Sequence, residues 1–163
     1  MREILFRGKR TDNGEWVEGY ITECTMIPDD MKSYIGWVIK EKPKKLYDCD
    51  LYEVDPATIG QYTGLKDKNG KKIFEGDIIR MHGNPDDIAV VQFGEFGCVD
   101  IELESITDRV NGWHYKPLAT DALSQLEPFC WEFQLNKMWV EQNDIEIIGN
   151  IHDNPETMKG DED

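Results

Sequence analysis

Two Asn-Gly dipeptides, Asn13-Gly14 and Asn69-Gly70, each stand between stretches of strand-forming residues, and they restrict this chain more than any other feature. Asn and Gly tolerate the positive φ angles of a two-residue hairpin turn, so each pair predicts two antiparallel strands folded back on one another. Pairing outward from Asn13-Gly14 sets Asp12 against Glu15, Thr11 against Trp16, Lys9 against Glu18, Gly8 against Gly19 and Phe6 against Ile21. The register matches one opposite-charge pair and one apolar pair across the ladder. Its facing glycines predict a place where the ribbon bends or another segment approaches closely. From Asn69-Gly70 the same logic sets Asp67 against Lys72 and Leu65 against Phe74. Gly76-Asp77 then reads as the turn into a strand at 78–81.

A third hairpin is expected over 86–105, DDIAVVQFGEFGCVDIELES, closed by Gly94-Glu95-Phe96-Gly97. With Val90 facing Ile101 and Ile88 facing Leu103, the carboxylates of Asp100, Glu102 and Glu104 fall together on the other face, because side chains alternate along a strand. Such a stripe is the water-facing side of a sheet that discourages edge pairing. It is also the surface a basic partner would seek, so Asp100, Glu102 and Glu104 are the candidate partner-binding residues. Further strands are expected at 34–40 (YIGWVIK) and 145–151 (IEIIGNI). Residues 129–140, FCWEFQLNKMWV, place Phe129, Trp131, Phe133 and Leu135 on one face at strand spacing, a core pattern. The one clear helix signal is TDALSQLE at 120–127, with Thr120 as N-cap, Asp121 in the first turn and Pro128 as the stop. Residues 24–33 read as a loop around Pro28-Asp29-Asp30. The fold class is therefore mainly β, built of antiparallel hairpins, with one short helix.

Length and composition set the frame for these elements. At 163 residues, 39% of them apolar, there is material for one core, so residues 1–155 are expected to form a single domain and 156–163 an acidic flexible tail. Charged residues make up 31%, but five Trp, six Phe and six Tyr provide the buried surface that disordered chains lack. No stretch approaches the roughly 20 apolar residues that cross a bilayer, and MREILFRGKR lacks the apolar run of a signal peptide. A cytoplasmic location follows as the expectation, with no membrane partner. Cys24, Cys49, Cys98 and Cys130 form no C-x-x-C pair and are expected as reduced thiols. His82, His114 and His152 are equally scattered, so no metal or other cofactor is expected.

The net charge of −15 is unevenly spread. Residues 1–80 hold 14 Lys+Arg against 15 Asp+Glu, net −1, and residues 81–163 hold 4 against 18, net −14. An acidic second half suits either a solvated surface or a basic partner. The run KEKPKK at 40–45 could attract phosphate, but Pro43 and the nearby acids read better as a solvated connector.

Catalytic patterns are missing. The chain has no G-x-S-x-G elbow, Walker loop, H-E-x-x-H or zinc-deaminase signature. Asp67, Asn69 and Gly70 have a superficial likeness to a calcium loop, but with Gly70 at loop position 6 the first ligand would be Leu65 and the twelfth Gly76. His152-Asp153-Asn154 puts a titratable ring beside a carboxylate, though chain neighbours point apart and a surface turn is the simpler reading. Carboxylates abound, but abundance predicts no geometry, so no catalytic residue is assigned.

Three segments together make the chain resemble the YopX family of small phage and prophage proteins. They are Phe6-Arg7-Gly8-Lys9 with Gly14-Glu15-Trp16-Val17 and Gly19-Tyr20; Thr58-Ile59-Gly60-Gln61-Tyr62-Thr63-Gly64-Leu65-Lys66-Asp67 running to Asn69-Gly70 and Ile73-Phe74-Glu75-Gly76-Asp77; and Ile148-Gly149-Asn150-Ile151-His152 with Asn154-Pro155. Residues 82–144 carry no motif of the family. The resemblance implies a mostly β fold with an open or closed barrel-like core and a phage or prophage origin in a bacterial host. It implies no activity. The matched residues are turn glycines, Asn-Gly pairs and aromatics, all of which read as scaffold.

The leading expectation is a non-enzymatic accessory protein that binds a host or phage macromolecule, a basic protein being the chemistry that suits the acidic half. A sharper form makes it a nucleic-acid mimic whose carboxylates occupy a phosphate-binding surface. The alternatives are a small β-barrel that binds nucleic acid through the lysines at 40–45 and 66–72, which the net charge opposes, and an enzyme whose site no motif reveals. Strand edges and the aromatic run also leave room for a homo-oligomer.

Overall fold

The first Asn-Gly pair closes a hairpin, with a loop of four residues in place of two. In the computed structural model, which describes residues 3–23, 36–39, 51–100, 102, 105–120, 125–126 and 130–158, β1 (Phe6–Lys9) pairs with β2 (Trp16–Glu23) so that Phe6 faces Gly19 and Lys9 faces Trp16. The Arg10 amide donates to Glu15 O at 2.9 Å and the Gly14 amide to Arg10 O at 3.0 Å. Gly14 has φ +72°, whereas Asn13 is not among the residues at positive φ. A type I′ turn needs both. Asn13 instead spends its carboxamide on the loop, its Oδ1 accepting from the Glu15 amide at 3.0 Å. The register therefore differs by two residues from the expected one. An even shift keeps every side chain on its expected face.

The chain forms two compact units, residues 1–64 and 65–163. In the first, the antiparallel order is β4-β3-β2-β1-β5, with β3 (Gly36–Ile39), β4 (Leu51–Val54) and β5 (Gly60–Lys66). The close approach expected at Gly8 is present, but its neighbour is Val54: a Cβ on Gly8 would stand 3.0 Å from Val54 Cβ. A 3-10 turn, Pro56–Thr58, follows β4, capped by the Asp55 side chain on the Ala57 amide. Thr58 is buried, and its hydroxyl accepts from the Lys9 amide at 2.8 Å.

The second Asn-Gly pair repeats the lesson of the first. The Gly70 amide donates to Asp67 O and the Asp67 amide to Lys71 O, giving a three-residue loop, Lys68 to Gly70, between β5 and β6 (Lys72–Phe74). Gly70 again takes the left-handed position, at φ +80°.

The second unit carries the sheet β10-β9-β8-β7-β11, every neighbour antiparallel. Its strands are β7 (Asp77–Arg80), β8 (Ile88–Asp100), β9 (Ser105–Pro117), β10 (Phe133–Gln134) and β11 (Glu146–Asn150). Ile79, Ala89, Val91, Tyr115 and Ile147 alternate onto one face and pack with Ile73, Trp113, Leu135, Val140 and Ile145 into one buried cluster. Ile78 and Val90, paired across the ladder, are buried as well.

Two expected elements differ. Gly94-Glu95-Phe96-Gly97 is mid-strand and not a turn: β8 runs on to Asp100 and β9 returns from Ser105, with Gly94 opposite Gly112. The glycines serve packing, because a Cβ at Gly97 would stand 2.7 Å from Ile106 Cγ2. Of the run at 129–140, the described residues 130–140 hold only the two-residue β10 before Asn136 ends the extended run. Its Oδ1 accepts from the Trp139 amide at 2.9 Å and starts α1 (Lys137–Gln142). Most of the helix expected at 120–127 lies outside the described residues; Thr120 itself is not helical, and its hydroxyl donates to Asp86 O. The loop at 24–33, the lysines at 40–45, Glu104 and the end of the tail also lie outside them, while Pro155–Met158 form a 3-10 turn. The strands expected at 34–40, 78–81 and 145–151 are present as β3, β7 and β11. The fold is mainly β with two antiparallel sheets, and neither closes into a barrel among the described residues.

Candidate functional site

Several of the motif residues of the second unit meet in one backbone network. Asp67 is buried, and its carboxylate accepts three backbone amides: Asn69 at 2.9 Å and Lys71 at 2.8 Å on Oδ1, and Ile147 at 3.1 Å on Oδ2. The Lys68 amide donates to Ile145 O, so this turn covers the outer edge of β11. Gly76, at φ +79°, donates to Val91 O and accepts from the Ile151 amide. Asn150 Oδ1 accepts from the amides of His152 and Asp153, and Asn154 Oδ1 accepts from the Asn150 amide. These short polar side chains hold turns through backbone hydrogen bonds. The expected turn at His152-Asp153-Asn154 is what forms, and the motif residues act as scaffold.

The histidines do not converge. His114 is buried, its Nδ1 3.2 Å from Gly112 O and its ring stacked on Phe96 at 4.9 Å. His82, at φ +51°, reaches Asn143 Oδ1 through Nε2 at 3.1 Å. Burial pushes the Asp87 carboxyl up, with the nearby His82 acting in the opposite sense, and burial pushes the Tyr115 phenol well above its ordinary value. Tyr115 stacks with Phe133 and Trp139, a packed aromatic layer that accounts for its burial. Among the described residues no three His, Cys, Asp or Glu side chains gather as metal ligands, and no helix is long and apolar enough to cross a membrane.

The feature that scaffold does not explain is the far half of the β8–β9 hairpin. β7 pairs with β8 only through Ile88, Ala89 and Val90, and β10 pairs with β9 only through His114 and Tyr115. Beyond them β8 and β9 continue for about half their length paired with one another, and among the described residues no other strand joins them. On one face Phe93, Glu95 and Gly97 oppose Trp113, Asn111 and Arg109. Phe93 sits edge-on to Trp113 at 5.0 Å yet is 55% exposed, and Ile106, packed over Gly97, is 50% exposed. On the other face the Gly94–Gly112 pair leaves room for the stacked rings of Phe96 and His114.

Charge separates this arm from the rest. Residues 94–112 hold five acids and one base, Arg109, whose Nη1 lies 3.2 Å from Glu95 Oε1. Of the candidate partner residues, Asp100 ends β8 and Glu102 lies in the connection, its amide donating to Asp100 Oδ1 at 2.9 Å. These two stand at the hairpin's end and not along a strand face, because the turn falls after Asp100. Sequence reasoning missed Phe93, Ile106 and the strand edges that no other strand joins among the described residues. The signal was the Gly94/Gly112 pair, whose meaning depends on knowing where the hairpin turns.

A family model described as YopX protein matches residues 5–159. The chain is also similar to a solved structure, the crystal structure of protein EF1440 from Enterococcus faecalis, at 24% identity and a TM-score of 0.43, over 98% of this chain and 100% of that one. No curated protein matches the sequence.

Proposed function

The chain belongs to the YopX family, and from that premise we propose that it is a phage or prophage accessory protein of the bacterial cytoplasm, without catalysis of its own, that binds a basic macromolecule through the far half of the β8–β9 hairpin. The observation that carries this reading is an arm that exposes Phe93 and Ile106 beside an excess of carboxylates. Large apolar side chains left in water on a two-stranded ribbon gain by being covered, and a ribbon of that kind is marginal alone. Acids around an apolar centre select a cationic partner and speed its approach. A polyanion would be repelled from the same surface, and Lys68, one of the lysines expected to serve nucleic acid, is held by Glu146 at 3.1 Å.

A photo-crosslinking amino acid placed at Phe93 or at Ile106, in cells carrying the phage or prophage, tests the reading. The partner trapped there is then purified and titrated against the wild type and the charge-reversed D100K/E102K/E104K variant. Capture of one cationic partner at both positions, with binding lost on charge reversal, is the expected result. Equal capture from positions outside the arm, or a partner insensitive to charge reversal, overturns it.

A further inference from the structure

The edge of β8 tells how such a partner would engage. Val91 O accepts from the Gly76 amide, so the backbone groups of Val91 point away from β9. In an antiparallel ladder these directions alternate, and the register between Val91 and Cys98 is unbroken. The amides and carbonyls of Phe93, Glu95 and Gly97 therefore point outward on the same edge, past the point where β7 stops. The opposite edge is less open. The Arg109 amide, outward on β9 by the same alternation, donates to Asp108 Oδ1 at 2.8 Å. A side chain that takes up an outward amide is a device that blocks strand pairing.

We infer that the β8 edge at Phe93, Glu95 and Gly97 is a strand-addition site for an extended basic segment of another protein, which extends the ribbon as a third antiparallel or parallel strand. This rests on the binding role proposed above and names its partner's chemistry and geometry. Main-chain hydrogen bonds supply affinity in such a mode, and alternate side chains supply specificity. Here the exposed Phe93 ring would meet an apolar side chain and Glu95 a Lys or Arg, with the acids at the end of the hairpin drawing further cations. A second copy of the arm does not suit the same edge: it would bring net −4 against net −4 over residues 94–112.

The probe is a synthetic peptide of repeating Val-Thr-Lys-Thr, which sets valine and lysine in turn along one face of an extended strand, with the peptide carrying glutamate for lysine as control, titrated against the full chain by fluorescence anisotropy at low salt. Amide exchange of the wild-type protein is followed in parallel. The expected result is binding of the lysine peptide alone, with new protection at Phe93, Glu95 and Gly97. Glu95→Pro removes an outward amide without costing a β8–β9 bond, and should weaken binding at least about ten-fold, whereas Glu95→Gln weakens it only about two- to three-fold. Protection elsewhere on the wild type, or equal affinity in Glu95→Pro and wild type, overturns the inference even if cross-linking at Phe93 and Ile106 still captures a basic partner. Self-association of the wild type that Glu95→Pro abolishes would make a second copy the occupant and overturn it as well.

Discussion

The Asp67 carboxylate accepts the backbone amide of Ile147, eighty positions further along the chain, at 3.1 Å. The bond joins the turn after β5 to the edge strand β11, where a further strand would otherwise pair. With the amides of Asn69 and Lys71 on its other oxygen, Asp67 serves three donors while buried. Asp67→Ala leaves all three without this acceptor; the Ile147 bond is the buried one, and a buried donor so stranded costs about 1–3 kcal/mol. A loss of roughly 2 kcal/mol in urea unfolding is expected. An unchanged midpoint would show that water replaces the carboxylate at no cost.

Gly8 tests the first unit. Its missing side chain lets Val54 approach so closely that an added Cβ would meet Val54 Cβ and Cγ2 at 3.0 Å each. Gly8→Ala is expected to cost about 1–3 kcal/mol through overpacking. Val54→Ala removes both Cγ atoms, so the double variant should be more stable than the sum of the two single losses predicts. Additive losses in the double-mutant cycle would place the strain elsewhere.

How much of this was legible depended on whether the signal was local. Asn13-Gly14 and Asn69-Gly70 announced hairpins because a left-handed glycine is a property of one residue, and Gly14 and Gly70 do occupy that conformation. Loop length was not legible, since it was settled by Asn13 and Asp67 side chains reaching neighbouring amides. Gly94 and Gly97 misled for the opposite reason. Their role lies in space for Phe96, His114 and Ile106, partners that only the folded ladder brings alongside. The true turn, in the acidic stretch after Asp100, contains no Gly, Pro or Asn to announce it. Asn136 did carry a readable N-cap signal, obscured by the strand-like alternation that precedes it. The candidate arm was legible only as charge: Asp100 and Glu102 were picked out, but Phe93 read as an ordinary strand residue and Ile106 lay beyond the expected hairpin.

Two carboxylates should respond to pH with opposite signs. Glu146 accepts from Arg80 Nη2 at 3.0 Å across the β7–β11 pair and lies 3.1 Å from Lys68 Nζ, and these partners hold its carboxyl below the ordinary range. A carboxylate with a lowered folded-state pKa contributes stability above its unfolded value and loses it as pH falls through the folded value. Glu146→Gln is therefore expected to lower Tm at pH 7, with the two melting curves converging below about pH 4. A difference of constant size across that range would mean the ion pairs contribute nothing.

Asp87 is the reverse case. Burial raises its carboxyl, so the folded protein binds this proton more tightly than the unfolded chain does. Its favourable contribution is complete below the unfolded pKa and is lost as pH rises through the folded value. At pH 7 the ionised side chain opposes folding, and Asp87→Asn is expected to raise Tm there, the gain fading as pH falls below about 4. A lower Tm at neutral pH would show that the attraction to His82 outweighs burial.

The arm's own stability should hinge on one ring. Phe96 is the fully buried aromatic of the hairpin's far half, lying flat on His114 in the space left by Gly94 and Gly112. Deleting a buried Phe side chain typically costs about 3–5 kcal/mol, and here the loss falls on strands that, among the described residues, pair only with one another beyond β7 and β10. Phe96→Ala should therefore raise amide exchange over 94–100 and 105–112 by at least about ten-fold. Exchange at Ile79, Val91 and Ile147, in the core cluster, should change far less. If the proposed strand addition is right, the lysine peptide should also bind this variant more weakly, since an opened ribbon offers no edge. Uniform acceleration across core and arm would mean that the hairpin unfolds only with the whole unit, and that its far half is not an independent element.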